Sequence, residues 1–381
     1  MDFSLSEEQI LLRDSVEKYV REKCGVERHR TLCGTDLGFD PEAWQQFAAL
    51  GWLSIPFSEE LGGFSGGATD LMVVAEALGK GLVREPFLST LVTCGGLLQA
   101  GGNAEQHQRY IPSIIDGSSQ WAFAFAEPGS GYDFAAIDTT AEIQGEGYVL
   151  NGRKLAVLNA HCANHIIVLA RTGGAARERA GITLFVVDAD APGLSRDNFV
   201  ALDGSRGAHI QLDSVMLTVG QALGEVDAGL MLVESVVDTA IVTLGAEALG
   251  AMQALLDATV EYTKTREQFG QPISKFQALQ HCMADMYMKV EETRSLLLNA
   301  AIALDESRED SSEACAALKV KVAEAGKFVA KHAVQLHGGI GMTDELNVGH
   351  HYKRLMLLAK LYGDEAYYLQ KYADLASARA A

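Results

Sequence analysis

Residues 230–265, 274–305 and 312–336 each carry an unbroken helical pattern of apolar residues, and the charged "DESRED" at 305–310 separates the last two. Helices of this length joined by short loops bury their apolar stripes against one another, so the last third of the chain reads as an antiparallel bundle. From Ser6 to about Gly117 the helical segments are shorter. Ser6 and Gln9 are spaced as a capping box ahead of "EEQILLRDSVEKYV", and "PEAWQQFAALGW" and "TDLMVVAEALGKGL" repeat the same apolar spacing. Near Trp121 the period changes. "WAFAFA", "YVLNGRKLAVL", "HIIVLAR" and "GITLFVVDA" are short β-branched or aromatic runs divided by "QGEG", "GGAARERAG" and "DADAPG", the pattern of strands and turns, ending near Val219. The expected fold class is α+β in the order α, β, α: a helical domain over 1–118, a β domain over 119–225 and a helical bundle over 226–381.

Composition narrows the function. A chain of 381 residues that is 48% hydrophobic with 7 prolines buries a large core. Its 50 acidic against 31 basic residues give a formal charge of -19, which opposes nucleic acid and anionic membrane, so a polyanionic ligand needs a local basic site. Cys24, Cys33, Cys94, Cys162, Cys282 and Cys315 lie without ligand-like spacing, as expected for reduced thiols in a cytoplasmic protein that binds no metal. The first residues, "MDFSLSEEQILLRDSVEKYV", are acidic from position 2, unlike a signal or transit peptide, and no apolar run is expected to reach the length of a membrane span.

Two motifs stand apart from this scaffold. The helix that starts near 312 runs into "QLHGGIG", Gln335 to Gly341. Gly338 suits a helix C-cap, but Gly339 and Gly341 exceed what a cap needs; bare backbone of this kind lets consecutive N–H groups face a phosphate. The second motif, "YTKTREQFGQPISKFQ" at 262–277, joins two long helices and gathers Arg266, Gln268, Phe269 and Gln277. In one reading Arg266 and Lys264 favour a helix C-terminus and Phe269 plugs the turn. In the other a guanidinium forks onto phosphate while amides bind a nucleotide.

Together with the α, β, α order, "AEPGSGYD" and "NGRKLAVLNA", these motifs occur in the order and spacing of the acyl-CoA dehydrogenase family, which the chain resembles over essentially its whole length. The resemblance implies a flavoenzyme that binds FAD and acyl-CoA thioesters, desaturates the α,β bond and passes electrons to an electron-transferring flavoprotein. It also implies a cofactor shared between subunits, to which this chain lends Arg266, Gln268, Phe276, Gln277, Gln335, Gly338 and Gly339 for the flavin of its neighbour.

The chain departs from the family where the flavin ring and the base belong. Ala126-Glu127-Pro128 stands where Thr-Glu-Pro is usual, Tyr132 replaces a Ser before Asp133, and Ala156 and Leu158 replace an aromatic residue and a hydroxyl residue. The two positions at which relatives carry the catalytic carboxylate correspond to Gly363 and Ala240. Glu247, two turns beyond Ala240 among small and apolar neighbours, is the candidate for a relocated base, with a structural ion pair as its alternative. Asp364 is the weaker candidate. Such losses resemble the small subunit of pimeloyl-CoA dehydrogenase and other subunits of α2β2 acyl-CoA dehydrogenases, and imply a second subunit that keeps the ring pocket. A catalytically silent structural subunit, a flavin monooxygenase or nitroalkane oxidase on the same scaffold, and a homotetramer using Phe123, Phe125 and Tyr132 for stacking are the alternatives.

Overall fold

A computed structural model describes residues 4–380; Met1–Phe3, the start of "MDFSLSEEQ", and Ala381 lie outside the described residues. In chain order the first helices are α1 (Glu7–Lys23), α2 (Val26–Cys33), α3 (Pro41–Ala49), α4 (Ala68–Lys80), α5 (Gly96–Gly101) and α6 (Ala104–Ile115). Eight strands follow: β1 (Trp121–Ala124), β2 (Thr140–Gln144), β3 (Gly147–Leu158), β4 (His165–Arg171), β5 (Ile182–Asp188), β6 (Leu194–Val200), β7 (Arg206–Thr218) and β8 (Ala222–Leu223). Then come α7 (Gly229–Thr265), the hairpin β9 (Glu267–Gln268) and β10 (Gln271–Pro272), α8 (Gln277–Asp305), α9 (Ser311–His337), α10 (Asn347–Leu358) and α11 (Glu365–Ala380). Contacts group the chain into two compact units, one of residues up to 34, 67–83 and 241 onward, the other of 35–66 and 84–240.

In the helical unit, α1 opens on the expected capping box: Gln9 N–H donates to Ser6 Oγ (3.2 Å) and Ser6 N–H to Gln9 Oε1 (3.0 Å). Helices α4 and α7 touch backbone to backbone. A Cβ on Gly79 would overlap the carbonyl of Glu247, and one on Gly250 the carbonyl of Glu76, so a reciprocal pair of glycines sets the closeness of the crossing. Asp305, the last residue of α8, caps α4 by accepting from Ala68 N–H (2.6 Å) and Thr69 N–H (3.0 Å). Helices α8, α10 and α11 pack on α9, whose Lys319 is fully buried and donates to the carbonyl of Leu358 at the end of α10 (2.7 Å). Burial pushes this amine down to about 7, with Asp364 and Lys360 acting on it in opposite directions.

The second unit is built on one eight-stranded sheet, ordered β6-β7-β3-β2-β4-β5-β8, with β1 added in parallel to β4. Alternate residues of β3, β4, β5 and β7, among them Leu150, Ile166, Val168, Phe185, Ile210 and Leu212, form its apolar core. Two arginines, Arg171 buried and Arg196 half-buried, act as backbone clamps. Arg171 donates to the carbonyls of Ala135 (2.8 Å), Ile137 (3.1 Å), Gly173, Glu178 and Ala180, while Arg196 donates to those of Ala160, His161, Ala163 and Ala189. Each satisfies loop carbonyls that would otherwise sit unpaired between strands.

One expectation needs correction. Helix α7 is long and apolar enough to cross a membrane by length and composition, but 72% of its most apolar window is buried inside the protein, so its hydropathy is that of a core helix. All six cysteines are free thiols.

Candidate cofactor platform

The two motifs meet at one end of the helical unit. Helix α7 ends at Thr265, Arg266 N–H closes the last turn on Tyr262 (2.9 Å), and the chain reverses through β9 and β10. Phe269 (φ 54°) and Gly270 (φ 79°) make the two-residue turn with both φ positive, which matches the twist of the strands it joins. Helix α9 ends next to it. Tyr262 of α7 stacks on His337, the last residue of α9, with ring centroids 4.5 Å apart and planes 25° from parallel. His337 Nδ1 donates to Ala333 O (2.8 Å), and burial pushes the imidazole below its usual range, so the plate that joins the two helix ends is neutral.

Around that plate the recognition side chains are presented, not consumed. Arg266, Gln268, Gln277 and Gln335 are all exposed, and among the described residues the side chains of Arg266, Gln277 and Gln335 make no hydrogen bond or ion pair; Gln268 uses only one amide proton, on the carbonyl of Glu267 (2.7 Å). Phe276, which precedes α8, is half-buried and meets Phe269 edge-on at 6.0 Å. Phe269 does not plug the turn as one sequence reading had it, because it is 91% exposed at the tip of the hairpin. The three glycines of "QLHGGIG" separate by cause. Gly338 caps α9, its N–H on Val334 and Gln335, at φ 66° and ψ -144°, a region open to glycine alone. Gly341 is buried, and a Cβ there would press on His337 (2.9 Å) and Val334 O (3.1 Å), so this glycine serves packing within the chain and not the bare-backbone role expected of it. Gly339 has neither constraint: its φ is ordinary and nothing lies within 4 Å of an added Cβ. Among the described residues nothing demands a glycine at 339.

The two loops expected to hold a flavin ring lie in the sheet unit. Glu127 and Lys154 form a buried ion pair (2.6 Å) between them; Glu127 also accepts from Asp138 N–H (2.6 Å) and Thr139 N–H (3.1 Å), and Lys154 Nζ donates to Leu169 O (2.5 Å). Burial pushes Lys154 down to about 8, only partly offset by Glu127. The same burial raises the Glu127 carboxyl, but the charge and hydrogen bond of Lys154 outweigh it and hold the acid below its usual range. Leu155 N–H donates to Ala126 O (2.8 Å), which sews the loops together. Neither Ala126, Ala156 nor Leu158 offers a side-chain donor, acceptor or ring. The aromatic residues that might have replaced them face each other: Phe123 stacks on Phe125 (5.3 Å, 29°) and Phe125 packs on Phe134 (4.9 Å), while Tyr132 is half-buried.

The positions considered for a base are equally plain. Ala240 is fully buried. Gly363 sits at φ 141°, where a Cβ would collide with the ring of the buried Tyr368. Asp364 is committed to Lys360 (2.9 Å) and to Tyr367 N–H (3.1 Å) at the start of α11, and these bonds hold its carboxyl below the usual range. Glu247 forms a two-pronged ion pair with Arg354 of α10, Oε1 to Nε at 2.5 Å and Oε2 to Nη2 at 3.0 Å, with both side chains mostly buried. Its setting is that of the ion pair weighed as the alternative to a base.

Comparison with known proteins agrees with this architecture along the whole chain. Residues 6–118, 122–215 and 227–374 match, in turn, the N-terminal, middle and C-terminal domains of acyl-CoA dehydrogenase. The chain belongs to the acyl-CoA dehydrogenase family, FAD-dependent oxidoreductases that act on CH–CH groups. It is 32% identical over 366 residues, 95% of this chain and 94% of the other, to the probable acyl-CoA dehydrogenase YngJ of Bacillus subtilis. The FAD complex of PigA superposes with a TM-score of 0.92 at 27% identity over 100% of both chains. The ChsE4–ChsE5 complex from Mycobacterium tuberculosis gives 0.89 at 28% identity, covering 99% of both chains. Tested against FAD, the two ends of this chain's sites differ. The exposed guanidinium, amides and open glycine of the helical platform fit a dinucleotide's phosphates and adenosine, whereas the ring loops lack the groups a flavin ring needs.

Proposed function

We propose that this chain is one subunit of an α2β2 acyl-CoA dehydrogenase, lending Arg266, Gln268, Phe276, Gln277, Gln335, Gly338 and Gly339 to the distal half of an FAD whose ring is held by a partner subunit. The observation that carries this reading is at the platform: the exposed side chains of Arg266, Gln277 and Gln335 make no hydrogen bond or ion pair among the described residues, and nothing among them demands a glycine at 339. Bound FAD supplies the hydride-accepting chemistry of α,β-desaturation of an acyl-CoA thioester, with an electron-transferring flavoprotein as the next acceptor. Arg266 forks onto phosphate, the amides of Gln268, Gln277 and Gln335 fix the nucleotide's orientation, and Gly339 allows close backbone approach. The α-proton is taken by a carboxylate of the partner, because Glu247 is spent on Arg354 and positions 240 and 363 carry no acid. A cytoplasmic setting with reduced thiols suits all of this.

The test is stoichiometry. The chain purified alone should hold little flavin; co-expressed with a larger acyl-CoA dehydrogenase subunit, it should co-purify with about half a flavin per polypeptide, one site being shared by two chains. A yellow, fully loaded single chain that oxidises thioesters unaided would overturn the proposal. Glu247→Gln in the complex separates the roles of that residue: turnover should be unchanged while thermal stability falls by about 2 kcal/mol, since Arg354 loses half of its charge-paired contact. If Arg266→Ala leaves flavin retention intact, the silent structural subunit is the better description, and oxygen consumption without acyl-CoA binding would favour the monooxygenase.

A further inference from the structure

The sheet unit contains a small device at the second ring loop for which the shared-site reading gives no account. Strand β3 is bulged: Lys154 pairs with Ile210 of β7 and Val157 with Ala208, so Leu155 and Ala156 have only His209 across from them. Ala156 takes φ 51°, which turns its N–H out of the ladder, and that N–H donates to Nδ1 of His209 (3.1 Å). The imidazole is fixed from the other side by Phe199 of β6, ring centroids 5.2 Å apart and planes 28° from parallel. Phe199 reaches it by lying over Gly207, its own cross-strand partner, where a Cβ would meet first the backbone carbonyl of Val157 (2.5 Å) and then the Phe199 ring (2.8 Å). Gly207 therefore serves the close approach of the Val157 carbonyl of β3 and also leaves room for the Phe199 ring beside His209. With Leu155 N–H already on Ala126 O (2.8 Å), both amides released by the bulge are satisfied inside the chain.

We infer that His209, braced by Phe199 over Gly207, is a built-in occupant of the second ring loop: it satisfies the Ala156 amide from within and closes this chain's own loop to a flavin ring. The inference deepens the shared-site reading and rests on it only for the meaning of the loop, since the contacts hold whatever the chain's partner is. Nδ1 is the acceptor, because a backbone N–H can only donate. A ring ligand would have to displace an aromatic stack and a satisfied hydrogen bond, and the loop's alanines and leucine offer nothing in exchange.

Hydrogen–deuterium exchange of the full chain over residues 153–160 decides it. Protection at Leu155 and Ala156 should be present without flavin and unchanged by excess FAD. His209→Ala and Phe199→Ala should each speed exchange at Ala156 about tenfold, the worth of one hydrogen bond, and His209→Gln, which keeps a side-chain acceptor, should restore most of the protection. Free exchange in the native chain, slowing of this segment by FAD, or indifference to His209→Ala would each overturn the inference. Because the readout is local to the sheet unit, it separates from the flavin count that tests the shared site.

Discussion

Lys154 is the residue on which the sheet unit is most exposed to damage. Its amine has 0% side-chain exposure and its direct ion-pair partner is Glu127, itself held by two backbone amides. Glu127→Gln strands a buried cation, and urea unfolding should show a loss of about 3 kcal/mol; adding Lys154→Met to that variant should recover part of the loss, because the desolvated charge is then gone. In the helical unit the sensitive group is His351, buried on α10, whose Nδ1 has no hydrogen-bond partner among the described residues. Burial first, and then the neighbouring His29 and His350, push it from 6.5 down to about 3. The sign follows from proton uptake: between those values the unfolded chain binds the proton and the folded chain does not. Stability is therefore full above 6.5 and falls as pH drops toward 3, by up to roughly 1.4 kcal/mol per pH unit for this one group. Urea midpoints taken down this range should fall less steeply in His351→Leu than in the native chain, and equal slopes would refute the assignment. Neither effect was legible beforehand, since the sequence shows a lysine in an apolar run and two adjacent histidines but not what encloses them. Glu247 shows the same limit from the other side: its helix neighbours suggested a desolvated acid, while the partner that decides its role, Arg354, lies 107 residues further on.

At the scale of elements, the crossing of α4 and α7 and the end of α9 make a controlled contrast between glycines. Gly250→Ala forces a methyl into the carbonyl of Glu76 and should cost about 1–3 kcal/mol, read as a lowered melting temperature. Gly339→Ala meets nothing and should leave stability unchanged. If both behave alike, the separation of packing glycines from ligand-facing ones fails. Helix ends were the most readable feature, because Ser6 with Gln9 and the glycines after His337 carry their own chemistry; the long helices expected at 230–265 and 312–336 appear as Gly229–Thr265 and Ser311–His337. Strands were read only where apolar residues ran together. Strands β2, β6 and β7 escaped, since "TAEIQ" and "LSRDNFV" lie mostly at the surface and "RGAHIQLDSVMLT" mixes buried with exposed positions, so that charge and hydroxyl dilute their apolar content. The hairpin at Phe269-Gly270 escaped for a different reason. Its two-residue strands have no periodicity to detect, and only the exposure of Phe269 at the hairpin tip shows that the phenylalanine is turned outward.

For the whole molecule, the question is why a chain with a formal charge of -19 should keep a small, open cationic and amide-rich platform that its own fold does not use. Surface arginines contribute little to folding when they pair with nothing, and Arg266 among the described residues pairs with nothing, so the binding role proposed for it asks nothing of the fold. Under the shared-site proposal, a phosphate bound there would meet a local positive charge inside a repulsive overall field, which would make the contact specific but dependent on a second polypeptide holding the rest of the cofactor. Arg266→Ala should accordingly leave the melting temperature of the isolated chain unchanged while weakening flavin retention in the two-subunit complex by roughly 10–100-fold, the worth of charge-assisted hydrogen bonds. Raising the salt concentration should weaken retention in the native complex and have a smaller effect in the variant, because the screened interaction has already been removed. Equilibrium dialysis of FAD against both complexes at two ionic strengths measures all four numbers. An Arg266→Ala complex that keeps its flavin as tightly as the native one, at either salt, would place the cofactor's phosphates somewhere other than this platform.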